Sequence, residues 1–86
     1  DNARHANAMA QRLAEAFGDH DRIELPWAVD ANEIFPVIPE ALRTRLRGAG
    51  LDFYDWPAQP DMTRFVTSFS TDAAAVDQAV AIIAGA

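Results

Sequence analysis

The stretch "DMTRFVTSFST", residues 61–71, alternates like a half-buried strand and yet carries an arginine in its interior. Strand side chains project to opposite faces in turn, so Thr63, Phe65, Thr67 and Phe69 fall on one side and Arg64, Val66, Ser68 and Ser70 on the other. The two phenylalanines mark the first side as the core. Arg64 then points from a rigid strand toward the opposite face, where its planar fork of N–H donors suits a carboxylate or a phosphate. The plainer alternative is an arginine that reaches water or a structural partner, the usual fate of long charged side chains.

Outward from this strand the remaining elements fall into place. On its C-terminal side, Ser70 or Thr71 is expected to cap a final helix, with Asp72 favouring the positive end and Val76, Val80 and Ile83 sharing one face. On its N-terminal side, "LDFYDW" (51–56) reads as a strand in which Phe53 and Asp55 alternate against Tyr54 and Trp56, and "PAQP" (57–60) makes the connection. Pro39 suits the first turn of a helix whose buried stripe is Leu42, Leu46 and Ala49, ended by Gly48 and Gly50.

Further upstream, "NEIFPVI" (32–38) reads as a strand whose interior Pro36 demands an edge or a bulge, and "RIELP" (22–26) as a short strand closed by Pro26. The chain opens with an amphipathic helix ended near Gly18, its apolar face built from Ala6, Ala10, Leu13 and Phe17. That slim face is expected to pack partly on a neighbour outside this chain and to fray without it. The order helix, two strands, helix, two strands, helix predicts an α+β fold. It comprises a small antiparallel or mixed sheet of three to four strands with helices mainly on one face.

Composition narrows the function. Thirteen acidic residues against seven basic ones give 86 residues a net charge of −6, the wrong sign for a binder of phosphate backbones. Nucleic acid is not an expected partner. The chain has no cysteine, hence neither disulfides nor thiolate metal sites, and it lacks the run of about 18 apolar residues that a membrane span needs. A cytoplasmic, non-membrane location is expected. A helical pattern already running at Asp1 predicts a fragment of a longer polypeptide.

Other polar clusters offer less. Asp19, His20 and Asp21 are adjacent in a turn and do not readily converge on one metal ion. Arg43 and Arg47 share a helix face that Arg45 does not, with Glu40 placed to support Arg43, which describes a solvated face better than an anion patch. Trp27, Tyr54 and Trp56 can form a ligand platform, although packing is the commoner use of such rings. His5, on the polar side of the first helix near Arg12, has no serine or cysteine nucleophile pattern beside it. No complete active site is legible in these residues.

The succession "ARHANAMAQRLAEAF" (3–17), "ANEIFPVIPEALRTRLRGAGLDFYDW" (31–56) and "TRFVTSFSTDAAAVDQAV" (63–80) resembles the C-terminal domain of low-specificity L-threonine aldolases. These are pyridoxal-phosphate (PLP) enzymes of the aspartate-aminotransferase fold type. The resemblance covers nearly the whole chain, and its specificity lies in the combination of blocks. It implies that residues 1–86 are a C-terminal small domain, preceded by a larger domain that holds PLP through a lysine and an aspartate. It also implies a homo-oligomeric enzyme, a tetramer, that cleaves β-hydroxy-α-amino acids to glycine and an aldehyde.

Arg64 matches the family's arginine in the "R-hydrophobic-V-T" strand, which binds the α-carboxylate of the amino-acid substrate. Ser68 departs from the histidine that many members carry after "V-T", and it is assigned no role. All seven basic residues are arginines, so no side-chain amine here can form a Schiff base and the isolated chain is expected to be inactive. Two other readings stay open at this point: a related PLP-dependent lyase that eliminates a β-substituent, and a free-standing α+β module that binds an anion or a protein.

Overall fold

A computed structural model describes residues 2–26, 32–51, 53–57, 59–68 and 70–86. Three helices and a three-stranded antiparallel sheet follow one another as α1 (Asn2–Gly18), β1 (Glu33–Ile34), α2 (Glu40–Gly48), β2 (Phe53–Asp55), β3 (Thr63–Val66) and α3 (Ala73–Ala84). The strand order is β1-β3-β2, which places the arginine-bearing strand in the centre. Phe65 stands opposite Ile34 on one side and opposite Phe53 on the other. Thr63, Phe65 and Thr67 are buried while Val66 is 39% exposed, as the alternation predicts. Phe69 and Trp27 lie outside the described residues.

Pro36 shapes the border of the sheet. The segment after β1 stays in register with β3, so that Val37 bridges Met62, but proline offers no N–H and the regular ladder stops there. Its carbonyl takes up the role, accepting both the backbone N–H of Thr63 (3.0 Å) and the Thr63 hydroxyl (3.1 Å). The strand expected across 22–26 is reduced to a single antiparallel bridge between Glu24 and Val37. With Pro26 at one end and Pro36 in the partner, too few donors remain to extend it.

The helices cover one face of the sheet. The core joins Leu13 and Phe17 of α1, Leu42 and Leu46 of α2, Val76 and Ile83 of α3, and Ile34, Phe53 and Phe65 of the strands. At its middle the Phe65 ring stacks on Phe53 at 4.4 Å and meets Phe17 at 5.2 Å, tying α1 to both strands. The apolar face of α1 does not wait for an outside neighbour. Ala6, Ala10, Leu13 and Phe17 are all buried against α3 and the sheet of this same chain, and Met9 and Ala14 widen the stripe. Small side chains make that closeness possible, because alanine lets a helix backbone approach its partner.

Two helix starts differ from expectation. Pro39 precedes α2 rather than entering it, and its carbonyl accepts the N–H groups of Leu42 and Arg43, each at 3.0 Å. Asp72, not Ser70 or Thr71, caps α3, accepting the Ala74 N–H at 2.9 Å. Thr71 is otherwise engaged, its hydroxyl taking the Ser68 N–H at 2.7 Å. Gly50, at φ 91°, turns the chain from α2 into β2 through a backbone region that L side chains rarely adopt.

Candidate functional site

The register assembles a cluster on the sheet face that the helices leave open. Arg64 is central: Tyr54 stands opposite on β2, the continued register sets Phe35 opposite on the β1 side, and Glu33 and Trp56 occupy the diagonals. Tyr54 is 62% exposed, Trp56 half-buried, and Phe35 meets the Trp56 ring edge-on at 5.4 Å. The guanidinium carbon of Arg64 lies 5.8 Å from the centre of a Trp56 ring, at the outer range of a cation–π contact. Its Nη2 donates to the Glu33 carboxylate, with both side chains about two-thirds covered. Arg64 is thus neither a loose surface charge nor a sealed one.

The strand beneath it is held from both ends. Thr67 donates its hydroxyl to the Ala6 carbonyl of α1 at 2.6 Å, and its backbone exchanges hydrogen bonds with Asn32, N–H to O at 3.0 Å and Asn32 Nδ2 to the Thr67 carbonyl at 2.7 Å. At the other end Asp61 takes φ 63°, a left-handed conformation that a short polar side chain tolerates. Its carbonyl accepts the Ile38 N–H at 2.9 Å and its carboxylate accepts from Arg43 at 2.8 Å. An arginine on such a strand is presented with a fixed origin and direction.

The remaining sequence candidates resolve differently. Arg43 serves Asp61 and the Ile38 carbonyl (2.6 Å) rather than Glu40. Arg47 lies 4.3 Å over the Phe53 ring and donates to Asp55 at 3.0 Å. His5 is half-buried, its Nε2 2.7 Å from the Thr71 carbonyl, and so fastens α1 to the turn after β3 instead of facing water. His20 accepts the Arg22 N–H at Nδ1 (3.0 Å), while its buried Nε2 has no hydrogen-bond partner among the described residues. Ser68 shares a hydroxyl contact with Ser70 in the turn leading to α3. Tyr54 and Trp56 do share a face with Arg64, whereas Trp27 lies outside the described residues.

Sequence reasoning missed Glu33 and Phe35. Their alternation in "NEIF" puts them on one face, but which face and beside whom depends on register with a strand some thirty residues away.

No protein-family model matches the chain. The low-specificity L-threonine aldolase of Pseudomonas sp. (strain NCIMB 10558) is 34% identical over 82 residues, which make up 95% of this chain and 23% of that protein. Over nearly its whole length the chain is thus similar to one part of a threonine aldolase. A solved structure of Leishmania major threonine aldolase matches 94% of it with a TM-score of 0.78 at 24% identity, so the three helices and antiparallel sheet form a threonine aldolase domain fold. The chain spans 24% of that structure, less than a quarter of the length of the threonine aldolases it matches.

Proposed function

We propose that this chain is the C-terminal small domain of a PLP-dependent, threonine aldolase-like lyase, and that Arg64 receives the α-carboxylate of a β-hydroxy-α-amino acid substrate. The observation that carries the reading is the position of Arg64 at the centre of the open sheet face, on a strand fixed at both ends. A guanidinium meets a carboxylate through two parallel N–H···O bonds, so it sets the orientation of the amino acid as well as its affinity. An open face supplies one wall of a binding site. The reading assigns the other wall to a larger domain that precedes this one, in an oligomeric, cytoplasmic enzyme.

PLP supplies an electron sink for carbon–carbon cleavage when bound. The residues here do not fit its covalent anchorage, since that requires a side-chain amine and all seven basic residues are arginines. This domain's part is therefore to bind and orient, and the chemistry belongs to the larger domain.

The test is Arg64→Ala in the full-length enzyme, assayed with L-threonine. Loss of a charge-assisted, bidentate contact in a partly desolvated site costs about 2–4 kcal/mol, roughly a 30- to 1000-fold fall in kcat/KM. PLP occupancy and melting temperature are expected to hold. Arg64→Lys recovers only part, because a point-like ammonium cannot reproduce the fork. A stable, PLP-replete alanine variant with unchanged kcat/KM defeats the assignment. Parallel assays with a β-substituted amino acid distinguish aldol cleavage from β-elimination.

A further inference from the structure

We infer that Glu33 is a positioning residue for Arg64, holding the guanidinium aimed for an incoming carboxylate. The inference rests on the substrate-binding reading of Arg64 given above. The β1–β3 register sets Glu33 opposite Val66, one diagonal step from Arg64 on the same open face, a separation that long side chains span. There the Glu33 Oε1 accepts from Arg64 Nη2.

Coverage separates this ion pair from the other three formed among the described residues. Side-chain exposures are 40% and 63% for Arg12–Asp77, 16% and 56% for Arg43–Asp61, and 47% and 76% for Arg47–Asp55, but 32% and 29% for Arg64–Glu33. Only here are both partners at most about one-third exposed. Exposed pairs contribute little, whereas a pair about two-thirds covered on rigid strands is less screened and more narrowly aimed.

A guanidinium carries five N–H donors and a carboxylate ligand needs two. Glu33 engages Nη2, and a second carboxylate can then approach another edge of the same plane. Freely rotating, the arginine would lose rotamer entropy on binding substrate. With Glu33 on one edge and Trp56 nearby, much of that ordering is complete before substrate arrives. The Glu33 carboxylate also offsets the charge of the guanidinium, so that affinity depends on the bidentate fit more than on charge alone.

The experiment uses the full-length, PLP-loaded enzyme and L-threonine, with Glu33→Ala, Glu33→Gln, Arg64→Ala and the Glu33→Ala/Arg64→Ala double variant. Glu33→Ala is expected to raise KM about tenfold with kcat within about twofold, PLP absorbance and melting temperature being unchanged. Glu33→Gln, which keeps an acceptor and drops the charge, restores KM to within about threefold of the parent. In the Arg64→Ala background, Glu33→Ala adds nothing.

The two proposals fail separately. If Arg64→Ala lowers kcat/KM but Glu33→Ala leaves KM unchanged or lowers it, Glu33 is a bystander or a competitor, and the positioning role is overturned while Arg64 stands. Equal effects of Glu33→Ala with and without Arg64 also overturn it. A neutral Arg64→Ala overturns the substrate-binding reading itself.

Discussion

Arg64 and Thr67 lie three residues apart on one strand segment and face opposite ways, one to the open side and one to the core. Thr67 is the tie between β3 and α1, 3% exposed and donating to the Ala6 carbonyl at 2.6 Å. Thr67→Val keeps the shape and removes the donor. Because the Ala6 carbonyl also serves the i to i+4 ladder of α1, it is not orphaned by the change. We expect a loss of about 1 kcal/mol, read as a lower urea midpoint with an unchanged slope. An unaltered midpoint would show that the contact contributes nothing net. The alternation that places both residues was legible from "TRFVTSF" alone; the partners were not. Ala6 is sixty-one residues away in sequence, and Glu33 thirty-one, and no local pattern spans such distances.

At the scale of elements, α1 carries the clearest revision. Its alanine-rich stripe predicts a helix seeking a partner outside the chain, yet that stripe lies against α3 and the sheet, with Ala10 and Phe17 at 0% exposure. The covalent ends of the segment do not decide its packing; the closeness that Ala6, Ala10 and Ala14 allow does. Backbone amides of Ala10, Leu13 and Phe17 are therefore expected to exchange with solvent as slowly as those of β3 in the dilute monomer. Faster exchange along α1 by an order of magnitude or more would restore the fraying expectation. The start of α3 teaches the same lesson on a smaller scale. Ser70, Thr71 and Asp72 are all good caps, and Asp72 takes the position because the Thr71 hydroxyl is already holding the Ser68 N–H.

Across the whole molecule, stability converges on the ring of Phe65. It is 1% exposed, stacked on Phe53 and tilted against Phe17, so one side chain joins the central strand, an edge strand and the first helix. A chain of 86 residues buries a limited core, and domains of this kind hold a total stability of about 5–15 kcal/mol. Phe65→Ala is expected to cost about 3–5 kcal/mol, enough to lower the melting temperature severely or abolish a cooperative transition in circular dichroism. Phe65→Leu retains much of the volume and should sit between. A melting curve for Phe65→Ala indistinguishable from the parent would mean that the three rings do not form the structural centre.

What the sequence determined by itself is what repeats over a few residues: the helical stripes of α1, α2 and α3, the two-sidedness of β3, the α+β class, and the side of the sheet on which Arg64 stands. Each follows from a period of 3.6 or 2 and from residues whose chemistry acts locally. Tertiary structure alone decided the rest. Pairing of Glu24 with Val37 shrank to one bridge because two prolines remove donors on facing segments, a matter of which segments face each other. Likewise Glu33, Phe35, Tyr54 and Trp56 gather around Arg64 only through the β1-β3-β2 order and its register. Register is a long-range choice made by the buried face, and a slip of one residue would send all of these side chains to the other side.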